Sequence, residues 1–211
     1  MKRFVLVFFM LVLGTFMFAI DFGVELFADC NVGFEMGSGS TKVEASKVIS
    51  IPLNLDAGGC LYIGNFGVGF SLGGGISFLG VNYAVLGYSA GYTATPFKFN
   101  YESFFEIKIN ETNRISLSPM CMTFNFVKNG VDLYSDEEEE IEVNRQVNFY
   151  RIMLKYTRLS EPVDKVQNGF FVGLGYTWLC ETGEKDGDYL VFENNHPIML
   201  MIGGKVLINA F

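Results

Sequence analysis

The chain has 211 residues, half of them hydrophobic, with 22 Phe, 10 Tyr and 24 Gly. Its 15 Lys and Arg stand against 23 Asp and Glu, a formal net charge of -8, and no basic patch is present, so a nucleic-acid partner is excluded. The length is that of one domain with a sizeable core, and past the N-terminus no apolar run reaches the roughly 20 residues of a spanning helix.

Met1, Lys2 and Arg3 precede an apolar stretch over residues 4–20, the layout of an export signal. The small Ala19 places cleavage there, giving a signal peptide over 1–19 and a mature chain over 20–211. An uncleaved anchor is the plain alternative. Acylation at Cys30 is opposed by Asp29 directly before it. The four cysteines, Cys30, Cys60, Cys121 and Cys180, have no CxxC spacing and no histidine cluster, which argues against structural zinc. Their number allows three disulfide pairings, and their redox state stays open.

Successive strand side chains point to opposite faces. Ile20, Phe22, Val24, Leu26 and Ala28 share one face, opposite Asp21, Glu25 and Asp29. Residues 35–46 read as a loop. Ile49, Ile51, Leu53 and Leu55 then oppose Ser50, Asn54 and Asp56, and Pro52 implies a bulge or a gap in the pairing. Residues 57–60 read as a short turn. Tyr62, Phe66, Val68, Phe70 and Leu72 form the next outward face, with Gly67, Gly69, Ser71 and Gly73 inside. Residues 76–95, apolar and tyrosine-rich, alternate weakly and are placed in a loop that lines or caps a mouth.

The clearest alternation follows. Phe97, Phe99, Tyr101, Phe105 and Ile109 oppose Lys98, Asn100, Glu102, Glu106 and Lys108. After a tight turn at 110–113, Met120, Met122, Phe124 and Phe126 share a side beyond Pro119. Residues 128–145 are a polar loop whose acidic run, Asp136 to Glu140 with Glu142, lacks the spaced pattern of a calcium loop and reads as solvated. Tyr150, Ile152, Leu154 and Tyr156 oppose Arg151, Met153 and Lys155. Phe170, Val172, Leu174, Tyr176 and Trp178 oppose Gly173, Gly175 and Thr177, and Tyr176 and Trp178 are expected in an aromatic girdle. A polar loop at 181–196 leads to Ile198, Leu200, Ile202, Val206, Ile208 and Ala210.

A long greasy face and a charged face together describe a membrane-spanning β-barrel: all-β, antiparallel, up-and-down. Eight strands give long connections at 35–46, 74–96, 128–145 and 181–196, alternating with short ones at 57–60, 110–113 and 158–168. Ten strands result if residues 81–92 and the stretch around Tyr189 each add one. The charges Asp21, Glu25, Glu102, Glu106, Arg151, Lys155 and Lys205 fall on inward faces. Small barrels fill their interior with side chains, and buried charges must be paired, so a lumen ion-pair network is expected. Lys205 is expected near Glu25, because the first and last strands close the barrel.

The export signal, the amphipathic strands, the alternating connections and the terminal Phe211 together resemble the small bacterial outer-membrane barrels of the OmpA, OmpX and OmpW type. The resemblance implies a place in the outer-membrane lipid and implies that Phe211 is a signal for the barrel-assembly machinery. Asn209, Leu207 and Lys205, which share its alternate set, depart from the apolar pattern such a signal carries. Either a bulge shifts the register there or the signal is weak.

No catalytic, cofactor or metal set is expected. His196 is the only histidine, and residues 193–198 hold no Ser or Thr. Gly67-x-Gly69 and the stretch 37–42 lack the order of nucleotide loops. The expected role is a structural or surface-interaction barrel, or a narrow conduit for a small solute. The competing expectation is a soluble periplasmic barrel binding an apolar ligand, with the aromatic face inward and Arg151 and Lys155 in solvent.

Overall fold

A computed structural model describes residues 22–39, 45–85, 88–132, 140–184, 189–191 and 196–209. The expected signal peptide, Asp21, most of the acidic run and Phe211 lie outside them. Ten β-segments run in chain order: β1 (Phe22–Gly39), β2 (Ala45–Ile63), β3 (Phe66–Val85), β4 (Tyr88–Ala94), β5 (Phe97–Lys108), β6 (Asn113–Asp132), β7 (Glu140–Leu159), β8 (Val166–Glu184), β9 (Tyr189–Val191) and β10 (Ile198–Asn209). Every pairing is antiparallel.

The ten segments make eight staves. β4 and β5 both lie between β3 and β6, end to end along one stave. β9 and β10 both pair with β8. The ladder from Glu25 opposite Asn209 to Met36 opposite Ile198 closes β1 on β10, which removes the sheet edges. The fold is an eight-stave, up-and-down antiparallel barrel, and ten separate staves are ruled out by this pairing.

The strands are longer than the alternation shows. β1 continues to Gly39 through the expected loop at 35–46, and β3 with β4 forms a hairpin through the expected loop at 76–95. β2 runs unbroken through 57–60, and its turn is at Gly64 and Asn65, with Gly64 at a φ of 59°. Tyr62 therefore belongs to β2, where its parity turns it inward; it is 1% exposed, against the outward placement expected. Pro52 leaves a gap in the β1–β2 ladder between Val32–Leu53 and Glu35–Ser50 without changing the register. Gly33, opposite that gap, is where the Pro52 ring leans in: an added Cβ would stand 2.9 Å from its Cγ.

β6 does contain a bulge. Ser118 faces Met153 and Cys121 faces Arg151, so Pro119 and Met120 together oppose Ile152 alone. Arg114, Ser116 and Ser118 point inward below it; Cys121, Thr123, Asn125 and Val127 point inward above it. β10 shows no register shift through Asn209.

The outer surface is apolar all round. Leu26, Leu53, Phe70, Phe99, Leu117, Leu154, Leu174 and Leu200 all stand exposed on it. Phe124, Tyr150 and Trp178 touch across β6, β7 and β8, at centroid distances of 6.4 and 5.7 Å. The charges turn inward. Arg151 is 2% exposed and points into the lumen, which overturns the soluble-barrel alternative with its reversed faces.

Candidate functional site

Among the described residues, the lumen is where this sheet gathers its buried charges. Alternation sends one residue in two inward from every stave. Among the described residues the lumen face carries Glu25, Asp29, Glu35, Asp56, Glu102 and Glu106 against Lys98, Lys108, Arg114, Arg151, Lys155 and Lys205, six acids to six bases. Burial in a narrow barrel is costly for an unpaired charge, and the arrangement answers that cost in tiers.

The tier nearest the short turns centres on Arg114. Its guanidinium binds both oxygens of Glu25, donates to the Glu106 carboxylate at 3.2 Å and to the Tyr62 hydroxyl at 2.9 Å, and reaches the Gln167 side-chain oxygen at 3.4 Å. Lys108 donates to Glu25 at 2.6 Å, and its ammonium sits 3.6 Å over the Tyr62 ring. The Tyr62 hydroxyl donates to Glu106. Gly67 lets the Tyr62 ring lie against β3: an added Cβ would stand 2.6 Å from that ring. These groups wall a vestibule of about 400 Å³, open toward the turn end and bounded there by Glu111, Pro162 and Asn209.

In the middle tier Glu102 takes Lys155 and the Ser118 hydroxyl. Asn31 donates to Asp29 at 3.0 Å and to Asp56 at 2.9 Å; Asn100 donates to Asp56 at 3.2 Å. Lys205 pairs by register with Asp29, and its ammonium lies 3.9 Å over the Phe27 ring. The voids left here have volumes of about 10 and 20 Å³, room for about one water each.

The third tier is a bidentate pair: Arg151 Nε donates to Glu35 Oε1 at 2.8 Å and Nη2 to Oε2 at 2.5 Å. Thr177 donates to Glu35 Oε1 at 2.7 Å, and Arg151 Nη1 donates to Thr123 at 2.7 Å. Lys98, 6% exposed, has no pair within this tier. Its cross-strand row runs from Asn54 through Gly75 to Lys98 and Asn125. The side-chain oxygens of Asn54 and Asn125 are buried without a hydrogen-bond partner.

Above the third tier the lumen becomes apolar. Val48, Leu79, Val81, Ala94, Val127, Val147, Phe149 and Cys180 form one buried cluster across six staves.

Of the charges expected inside, Glu25, Glu102, Glu106, Arg151, Lys155 and Lys205 line the lumen; Asp21 lies outside the described residues. Lys205 stands on the strand beside Glu25 but four residues along, with Asp29 as its cross-strand neighbour, and Glu25 is taken by Arg114 and Lys108. The sequence pattern does not single out Glu35 or Arg114, although each anchors a tier. Glu35 falls within the stretch that reads as a loop. Arg114 lies next to a turn, where a single charge carries no pattern.

Tyr176 and Trp178 both point outward at the far end of β8. His196 stacks on Tyr176 at 5.5 Å, and its Nδ1 is 3.3 Å from the Thr177 carbonyl oxygen, outside the lumen. Among the described residues no group of three or more His, Cys, Asp or Glu could hold a metal. The four cysteines are free: Cys30 faces outward, while Cys60, Cys121 and Cys180 lie buried inside.

No protein-family description and no curated protein matches the chain. Among solved structures, Neisserial surface protein A is similar at 10% identity over 88% of this chain and 96% of that one, with a TM-score of 0.37. The beta domain of the Bordetella autotransporter BrkA is similar at 11% identity over 90% and 98%, with a TM-score of 0.31. The outer membrane protease OmpT of Escherichia coli is similar at 7% identity over 89% and 96%, with a TM-score of 0.32. Values this low assign neither family nor activity. The chain's own surfaces describe its class: a closed barrel, apolar outside and charged inside, is an outer-membrane-type β-barrel.

Proposed function

We propose that this chain is an integral protein of a bacterial outer membrane, without enzymatic activity, that acts as a non-conducting barrel carrying its outer loops at the cell surface. The observation that supports this reading is the filled lumen. Three tiers of paired charges and an apolar cluster occupy it, and the central voids hold about one water each. Porins of about 16–18 strands leave an aqueous channel, whereas eight staves leave only room for side chains. The lipid of the membrane covers the aromatic and aliphatic outer face, and the barrel-assembly machinery inserts the chain, with Phe211 as the proposed signal.

Two measurements test the reading. Carbonate-washed membranes are run in SDS, unheated and boiled; a band that shifts on boiling is expected, and release into the soluble fraction overturns the membrane assignment. The purified barrel is then placed in planar bilayers, where no stepwise conductance is expected. Steady ion conductance by the native chain favours the narrow-conduit role instead.

A further inference from the structure

The lumen is asymmetric. At the turn end it opens into a vestibule of about 400 Å³ between Tyr62, Lys108 and Arg114. Polar groups then continue inward through Lys155 and Glu102 to Arg151 and Glu35. Toward the opposite end, on the side of the long connections, the described lumen lining turns apolar. Val48, Leu79, Val81, Val127, Val147 and Phe149 close on one another, none more than 3% exposed. These six come from four staves, β2, β3, β6 and β7.

We infer that this apolar collar, and not the ion-pair tiers, is the barrier to passage through the barrel. The inference rests on the non-conducting reading and names the element responsible for it. The two layers differ in what they do to water. A tier of carboxylates, guanidinium and ammonium groups offers donors and acceptors that a water or a small ion can share, and its voids are already of about one-water size. The collar's own members are apolar save the Cys180 thiol; the polar side chains at its edge, Ser50 opposite Leu79 and Asn125 opposite Val147, are tied to the Ser77 hydroxyl and to the Val147 carbonyl, and a constriction lined by Val, Leu and Phe gates by dewetting. The barrel is therefore a polar well, wettable from the turn end and dry at the collar.

The native cysteines mark the well at three depths. Cys60 packs with Tyr62 and Phe104 beside the vestibule, Cys121 lies beside Arg151 in the polar column, and Cys180 is inside the collar.

The test compares two variants of the full-length protein in planar bilayers. One removes the collar's bulk, Phe149→Ser with Val147→Ser. The other removes the charges of the third tier while keeping its volume, Glu35→Gln with Arg151→Gln. Heat-shifted mobility confirms that each barrel is folded. The collar variant is expected to conduct at least tenfold above the native background, and the tier variant to stay at background. A tier variant that conducts, whether or not the collar variant does, overturns the inference, as does a silent collar variant. Conductance by the native barrel itself would instead sink the non-conducting reading.

A second readout stands if the double serine variant does not fold. In reconstituted Cys30→Ser protein, Cys180 is labelled with a small charged methanethiosulfonate reagent added at the loop end. Labelling is expected to be slow in the native collar and at least tenfold faster with Phe149→Ala. Equal rates in the two overturn the collar as the barrier.

Discussion

Glu35 of β1 and Arg151 of β7 meet across the lumen in a two-pronged pair, Nε to Oε1 at 2.8 Å and Nη2 to Oε2 at 2.5 Å, though 116 residues separate them. The pair ties together two staves that are not neighbours in the sheet. Each partner is almost completely buried, so removing one strands the other's charge. Glu35→Ala is expected to cost about 3–5 kcal/mol, read as a drop in the urea midpoint of the heat-shifted band. Glu35→Gln with Arg151→Gln should recover much of that loss. If the double variant is no better than the single one, the pair is not the source of the effect.

Lys98 is the opposite case, a buried ammonium with no ion pair among the described residues, in one cross-strand row with two amide oxygens that lack partners. Replacing it by methionine removes a charge that Asp56 and Glu35 offset only from beyond ion-pair distance. Lys98→Met is expected to raise stability by about 1–3 kcal/mol. A destabilised variant would mean that Lys98 has partners in the folded barrel.

Leu154, Leu174 and Leu200 sit side by side on β7, β8 and β10, all half exposed on the outer face. In a bilayer that face meets acyl chains. Leu174→Arg should cost about 2–4 kcal/mol when the barrel is folded into lipid. An unchanged urea midpoint in vesicles would show that this strip does not lie at the membrane midplane.

Gly67 lies flat under the Tyr62 ring, and a Cβ there would approach the ring and the Cys60 thiol to 2.6 Å. Gly67→Val forces the ring off Glu106 and Arg114, and overpacking of this kind costs about 1–3 kcal/mol. Tyr62→Phe with Gly67→Val should lose little beyond Gly67→Val alone, since both break the same hydrogen bonds.

The cysteines give a chemical prediction. With none paired, four thiols should titrate in urea without reductant, and the gel mobility should not change on reduction. Fewer than four would reveal a disulfide and a different inner packing.

Much of the barrel is legible where its two faces differ in polarity. Phe97 to Lys108 alternates in sequence, and its buried residues alternate in step. The signal fails where both faces are apolar. Phe78 faces out while Leu79 and Val81 enter the collar, so no alternation marks β3 there and the stretch reads as a greasy loop. Glycine misleads in the same way at Gly58 and Gly59. Their lack of side chains makes room for Phe27 and Leu26, and the chain does not turn. The lumen charges on clean strands are legible. Glu35 is hidden by the glycines that follow it, and Arg114 by its nearness to a turn. Which acid meets which base depends on the stagger of eight staves around a ring, and no local pattern records that.

The bulge at Pro119 has a consequence for how β6 can change. Below it, even-numbered residues face the lumen; above it, odd-numbered ones do. The strand thus carries the equivalent of a one-letter frameshift, absorbed at a single point. Losing Pro119 would restore the frame and leave Ser118, Cys121, Thr123 and Asn125 on their present side. Losing one residue from the middle of β2, where no bulge waits to absorb it, would turn half of that strand inside out. Among positions deep in the barrel wall, length is negotiable at Pro119 and fixed along β2.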